Sequence, residues 1–206
     1  MPGITLQTDA LVLLKQPPAD AFQNFTVFSA EHGVLAVLQR VAKKNASTSV
    51  PLDLFDEAAL SLESSNQGRT WFLREARLLS RQTGIGRRYE TLRLASALTT
   101  LIARNPVPDE SRSSVAALLR TAFAAFADAE HPELVYFKSL YCFARDEGYP
   151  LKQDWLPRLS AAQRAAAADV LNQPLTAQTT AAGVVTQLTH QLENYLRAHT
   201  DILLEE

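Results

Sequence analysis

The stretch at residues 39–49, QRVAKKNASTS, holds three cations, Arg40, Lys43 and Lys44, and no acid. Further along, residues 69–93 carry seven arginines (69, 74, 77, 81, 87, 88 and 93) against Glu75 and Glu90, a net charge of +5. The flanking parts are acidic: residues 1–68 hold four cations and seven acids, and residues 94–206 hold nine cations and thirteen acids. A local cationic excess in a chain of net charge −2 marks a face that meets an anionic partner, or arginines that pair with acids elsewhere in the fold. The chemistry such residues perform is phosphate neutralisation with release of counterions.

Bond-making chemistry is poorly provided for. The four histidines, His32, His131, His190 and His199, stand apart with no metal-ligand spacing such as HExxH. No G-x-S-x-G elbow is present, and Gly84-Ile85-Gly86 lacks the third glycine and the βαβ context of a dinucleotide fingerprint. That pair of glycines is expected to form a turn. The single cysteine, Cys142, lies in an aromatic helical stretch and reads as a packed thiol. The acid pairs Asp109-Glu110 and Asp146-Glu147 fall at helix ends, where the first complements an N-terminus. The expectation is a non-catalytic protein without metal or cofactor.

The elements that position the cations follow from composition and pattern. With 206 residues, 47% hydrophobic and 20% charged, the chain has material for one large or two small cored domains. No run approaches the ~18–20 apolar residues of a membrane span, and the N-terminal stretch has no cationic leader, so a cytoplasmic protein is expected. The first 65 residues read as short strands: ALVLLKQ, FQNFTVFS, GVLAVLQRVA, VPLDLF and AALSLES, punctuated by Pro17-Pro18, Gly33 and Asn66-Gln67-Gly68. Spacing of about ten residues predicts a five-stranded barrel or sandwich. The stretch 69–82 reads as strand in its first half, because Thr70, Trp71 and Phe72 suit a sheet. As the first helix after the sheet, the stretch would set Arg74, Arg77 and Arg81 on one face; on a strand, Arg69, Arg77 and Arg81 share one face and Arg74 takes the other.

From Gly84 onward the apolar spacing is helical. Tyr89, Leu92, Leu94, Leu98, Leu101 and Ile102 form one stripe that Pro106 ends, and Val115, Leu118, Leu119, Ala122, Phe123 and Phe126 form the next, capped by Asp109 or Ser111. Pro132 and Gly148 bound a third helix, Ser160 with Gln163 is a capping-box pair, and Val184, Leu188, Leu192, Tyr195 and Leu196 line a last one. The fold class expected is α+β: a β-module at 1–80 and an all-helical domain at 81–206.

In this order the pieces resemble the bacterial recombination mediator family RecO. TDALVLLKQ matches the family's entry strand, FTVFSAEHG its T-x-x-x-G turn, and QRVAKKNAS its small basic motif. VPLDLF is similar to an L-x-P-F element with the proline displaced, and FKSLYCFARDEGYPL to F-x-x-x-L-L-x-x-x-G-Y-x-P. The resemblance spans about residues 7–200. It implies an N-terminal five-stranded oligonucleotide-binding (OB) barrel and a helical C-terminal domain. It also implies binding of single- and double-stranded DNA, strand annealing in recombinational repair, a nucleoid-associated cytoplasmic location, and partnership with single-stranded-DNA-binding protein and RecR.

Carried onto this sequence, the basic motif places Arg40, Lys43, Lys44 and Ser47 against phosphate, and the arginines Arg69, Arg74, Arg77, Arg81, Arg87 and Arg88 extend the same track. Phe22, Phe25, Phe28 and Trp71 are the aromatic residues available for base stacking, with more than half of them expected in the core. Three features depart from the family. Val41 replaces a glycine and Ala46 a common cation, and no four-cysteine zinc module follows Gly148-Tyr149-Pro150. A second reading is an interaction module with weak DNA affinity that holds the acidic, apolar-ended tail of single-stranded-DNA-binding protein, with Arg112 and Arg120 as its cations.

Overall fold

The computed structural model describes residues 4–19, 21–40, 51–64 and 67–205. Five strands come first: β1 (Ile4–Lys15), β2 (Phe22–Ser29), β3 (Gly33–Arg40), β4 (Glu57–Ser64) and β5 (Trp71–Ser80). Six helices follow: α1 (Tyr89–Arg104), α2 (Arg112–Asp128), α3 (Pro132–Asp146), α4 (Leu151–Asp154), α5 (Ala161–Asn172) and α6 (Ala182–His199). Two compact units result, Met1–Gln82 with Ile102–Leu119, and Thr83–Leu101 with Arg120–Glu206. A cut after residue 80 therefore divides strands from helices along the chain, while the compact units share α1 and α2.

In the first unit each strand pairs with two others, so the sheet closes in the order β1-β2-β3-β5-β4. β1, β2 and β3 form an antiparallel meander, β5 joins β3 in parallel, and β4 bridges β5 back to β1. The β3–β5 contact that closes the ring is short, with Val37 opposite Trp71 and Leu38 opposite Phe72. Ala10, Val12, Phe25, Val27, Val37, Leu60, Leu62, Trp71 and Ala76 fill the interior. On β1 the alternation breaks down because Leu11 and Leu13 are buried as well, so this strand is covered on both faces.

Of VPLDLF, Val50 lies outside the described residues, and residues 51–55 are not a strand. Residues 51–56 form a turn in which Phe55 takes φ +65° and Leu52 plugs the barrel core. The turn docks on β1 where its register slips: Val12 N–H donates to the Asp56 carbonyl (2.8 Å) and Phe55 N–H to the Val12 carbonyl (3.1 Å). An apolar run interrupted by proline supplies core contacts here without ladder pairing. The fifth strand is instead the whole of 71–80, beyond the half expected.

In the second unit, α3 packs against α4, α5 and α6, and α5 against α6. Trp155, which is buried, fills the junction against Phe137 and Tyr141, with ring centroids 6.2 and 6.1 Å away. The helix ends follow local rules. Ser160 and Gln163 form the expected reciprocal capping box. Gly148, at φ +93°, closes α3 with Tyr149 N–H bonded to the Ala144 carbonyl and Gly148 N–H to that of Arg145, the paired bonds of a Schellman motif. Gly84 is required for another reason. A Cβ there would sit 2.2 Å from the Ala127 carbonyl oxygen. A 3-10 turn, Asp109–Ser111, leads into α2 after Pro108, and Asp109 pairs with Arg112 at 2.6 Å.

Candidate nucleic-acid interface

The barrel brings one end of β2, β3, β4 and β5 together. Phe22 opens β2 and lies opposite Arg40, the last residue of β3. Leu38 is paired with Phe72 across the parallel β3–β5 contact, and Glu63 with Phe72 across β4–β5. The result is a groove of about 300 Å3 with an apolar floor of Phe22, Leu38, Phe72 and Leu73 and a rim of Arg40, Arg74 and Glu63. The two phenylalanines meet edge to face, 5.8 Å between centroids at 63°. Both are only partly buried.

A β-bulge explains how Arg74 reaches this rim. Leu62 pairs with Leu73 and Ser61 with Glu75, so Arg74 is the extra residue on β5. Before the bulge Trp71 is buried; after it Ala76 is, so the inward parity changes from odd to even. Strict alternation put Arg74 opposite Arg77. The inserted residue removes that opposition, and both side chains are solvent-exposed. Arg74 is held by Glu63, whose Oε2 accepts from its Nε at 2.6 Å.

The other expected contacts divide into three groups. Arg40, Arg69 and Arg77 are exposed and make no ion pair among the described residues. Arg87 and Arg88 are exposed in the other unit, where Arg88 donates to the Glu130 carbonyl at 3.3 Å. Lys43, Lys44 and Ser47 lie outside the described residues. Of the four aromatic candidates, Phe25, Phe28 and Trp71 are core, and Phe22 alone lines the groove.

Arg81 differs from its neighbours. Its Nε donates to Asp56 Oδ1 at 2.8 Å and its Nη2 to Oδ2 at 2.6 Å, and Nη2 also donates to the Pro51 carbonyl. The Asp56 side chain is fully buried. Hydrogen bonding to Asp56 holds the Arg81 guanidinium above its ordinary range, against a smaller opposing effect of burial. Arg81 is thus a clamp across the 51–56 turn, with its fork already filled by carboxylate.

Phe72 and Glu63 were not singled out from sequence. The signal for Phe72 was present: adjacent aromatics on one strand point to opposite faces, so a buried Trp71 sets Phe72 outward. Arg112, named for a tail-binding pocket, is spent within the first unit on the Glu31 carbonyl (3.1 Å) and Asp109, and Arg120 belongs to the other unit.

Elsewhere the ionisable groups hold structure. Burial lowers Lys138 from the usual lysine range, and its Nζ donates to the carbonyls of Val170 and Gln173 at the end of α5. Burial, followed by the nearby Glu193 charge, raises Tyr136, whose hydroxyl donates to Glu193 at 3.2 Å. Burial also pushes the Cys142 thiol up, away from the thiolate a nucleophile needs. Among the described residues no three His, Cys, Asp or Glu side chains gather to hold a metal ion, and no helix is long and apolar enough to cross a membrane. Compared with known proteins, the sequence matches no family model and no curated protein.

Proposed function

We propose that this chain is a non-catalytic, DNA-binding and strand-annealing protein of the RecO type, acting in recombinational repair with an OB barrel as its DNA-contacting module. The observation that carries the reading is the groove at one end of a closed β1-β2-β3-β5-β4 ring, apolar and aromatic in its floor and rimmed by Arg40 and Arg74. OB barrels bind oligonucleotides on the face of strands 2 and 3 and the adjoining loops, which is where Phe22 and Arg40 stand. The exposed arginines Arg69 and Arg77 add phosphate-neutralising charge on or just before β5. Annealing then requires screening of phosphate repulsion between two strands and no covalent step.

Fluorescence anisotropy of a labelled single-stranded oligonucleotide across a salt series tests it. Arg40→Glu with Arg77→Glu weakens binding and flattens the plot of log affinity against log salt by ~0.7 for each phosphate no longer neutralised. Unchanged affinity and slope remove these arginines from the interface.

One observation favours the interaction-module reading. Glu63 and Asp56 neutralise Arg74 and Arg81, which leaves the barrel less cationic than its sequence. Under that reading an acidic, apolar-ended peptide of single-stranded-DNA-binding protein gives heat in a calorimetric titration while DNA gives none. RecR remains a proposed partner under the first reading.

A further inference from the structure

The barrel groove has more apolar surface than phosphate recognition needs. Phosphate contacts require cations and N–H donors in solvent, yet here two phenylalanines and two leucines form a partly open floor between the charged side chains. A closed barrel has every means of burying such residues, and Phe25, Phe28 and Trp71 nearby are buried. In the edge-to-face pair of Phe22 and Phe72, one ring lends its edge and the other one face. The pair therefore leaves ring faces uncovered by either partner.

We propose that this groove is a subsite for one unpaired nucleobase, stacked on the Phe22–Phe72 pair with a flanking phosphate beside Arg40. The inference rests on the DNA-binding reading and specifies which part of DNA the groove takes. At about 300 Å3 it lies at the small end of ligand pockets (~300–1,000 Å3), suited to a single planar ring system. Charge complementarity fits a nucleotide. Arg40 has no ion pair among the described residues, while Arg74, which also lines the groove, is paired with Glu63. Base-paired DNA keeps its base faces in its own stack, so the ring pair gives affinity only to single strands. Stacking tolerates every base, so the site selects strandedness and not sequence. The subsite thereby separates two properties of the barrel: arginines set the salt dependence for any DNA, and the phenylalanines set the preference for unpaired strands.

The test measures affinities of the full chain for oligo-dT, for the same length of abasic strand and for duplex. Phe72→Leu keeps an apolar side chain at the strand position, and Phe72→Trp keeps an aromatic one. Phe72→Leu is expected to lose ~5- to 150-fold in affinity for oligo-dT, with the salt slope, the abasic strand and the duplex unaffected. Phe72→Trp is expected to retain oligo-dT affinity and to show indole emission quenched by oligo-dT but not by the abasic strand. Equal losses for all three nucleic acids, or no loss for Phe72→Leu, overturn the subsite while leaving the DNA-binding reading intact. Failure of the unaltered chain to bind any of the three overturns both.

Discussion

Replacing Arg81 by methionine separates a structural arginine from the cationic track in which its sequence position places it. Asp56 has a fully buried carboxylate that accepts two hydrogen bonds from Arg81, at 2.8 and 2.6 Å, and one from the Asp53 N–H at 2.7 Å. Methionine keeps much of the aliphatic stem but leaves that charge with a single donor. Breaking a buried pair by removing one partner costs ~3–5 kcal/mol. The Arg81 side chain is 35% exposed, so water reaches the vacated position and the lower end, ~3 kcal/mol, applies. For a domain whose total stability is ~5–15 kcal/mol this is a large fraction. With a urea m-value of ~1–3 kcal/mol/M, the midpoint falls by ~1–3 M. Trp71 lies in the barrel core and Trp155 in the other unit, so Trp155→Phe provides a background in which emission follows the barrel alone. Adding Asp56→Leu to Arg81→Met removes the stranded charge and is expected to restore part of the loss. Where the variant remains folded, its DNA salt slope is expected to match the unaltered chain. Full stability combined with a shallower salt slope would refute the clamp and return Arg81 to the phosphate contacts.

Two further substitutions probe the same scaffold. Burial raises the Asp53 carboxyl, but hydrogen bonds from Lys15 and the Leu54 N–H, with the charges of Lys15 and Arg81, outweigh it and leave a net lowering. A depressed native pKa contributes stability above the unfolded value of ~3.9 that is lost as pH falls through the folded value. Lys15→Met should therefore lower stability at neutral pH and flatten its decline in acid, measured by denaturation at pH 7 and below 4. In the Gly84-Ile85-Gly86 turn, Gly84→Ala drives a methyl to 2.2 Å from the Ala127 carbonyl oxygen, whereas a Cβ at Gly86 meets nothing within 4 Å. Thermal unfolding is expected to register ~1–3 kcal/mol for the first and within ~0.5 kcal/mol for the second. Equal effects would overturn the steric account.

Sequence patterning exposed most of the scaffold because the determinants there are local. Helix stripes, the Ser160–Gln163 box and the Gly148 terminus each reside within a few residues, so periodicity and cap chemistry suffice to place them. VPLDLF defeated the same reasoning because composition cannot tell an apolar ladder strand from an apolar plug. Only the partners, Val12 for the backbone and the barrel interior for Leu52, decide between them. The arginine face failed for a sharper reason: a bulge residue reverses the assignments that follow it, since the side-chain period is two, and β5 slips twice, at Arg74 and again at Leu79. A charge excess counted along the chain likewise overstated the cationic surface, because Glu63 and Asp56 are 11 and 25 residues away from the arginines they neutralise.

These corrections change what the basic segment has to do. If all the β5 arginines faced solvent unpaired, phosphate contact along that strand would suffice for tight binding, and the segment at 39–49 would be one contributor among many. With Arg81 committed to Asp56 and Arg74 to Glu63, the barrel's unpaired cations among the described residues are Arg40, Arg69 and Arg77, and Arg40 alone borders the groove. Each phosphate contact is screened by salt, whereas base stacking is not. The weaker the electrostatic share becomes, the more the preference for single strands depends on Phe22 and Phe72. Phe72→Leu should thus lower the preference for unpaired over duplex DNA by the same factor at every salt concentration, because it removes stacking and leaves both salt slopes unchanged.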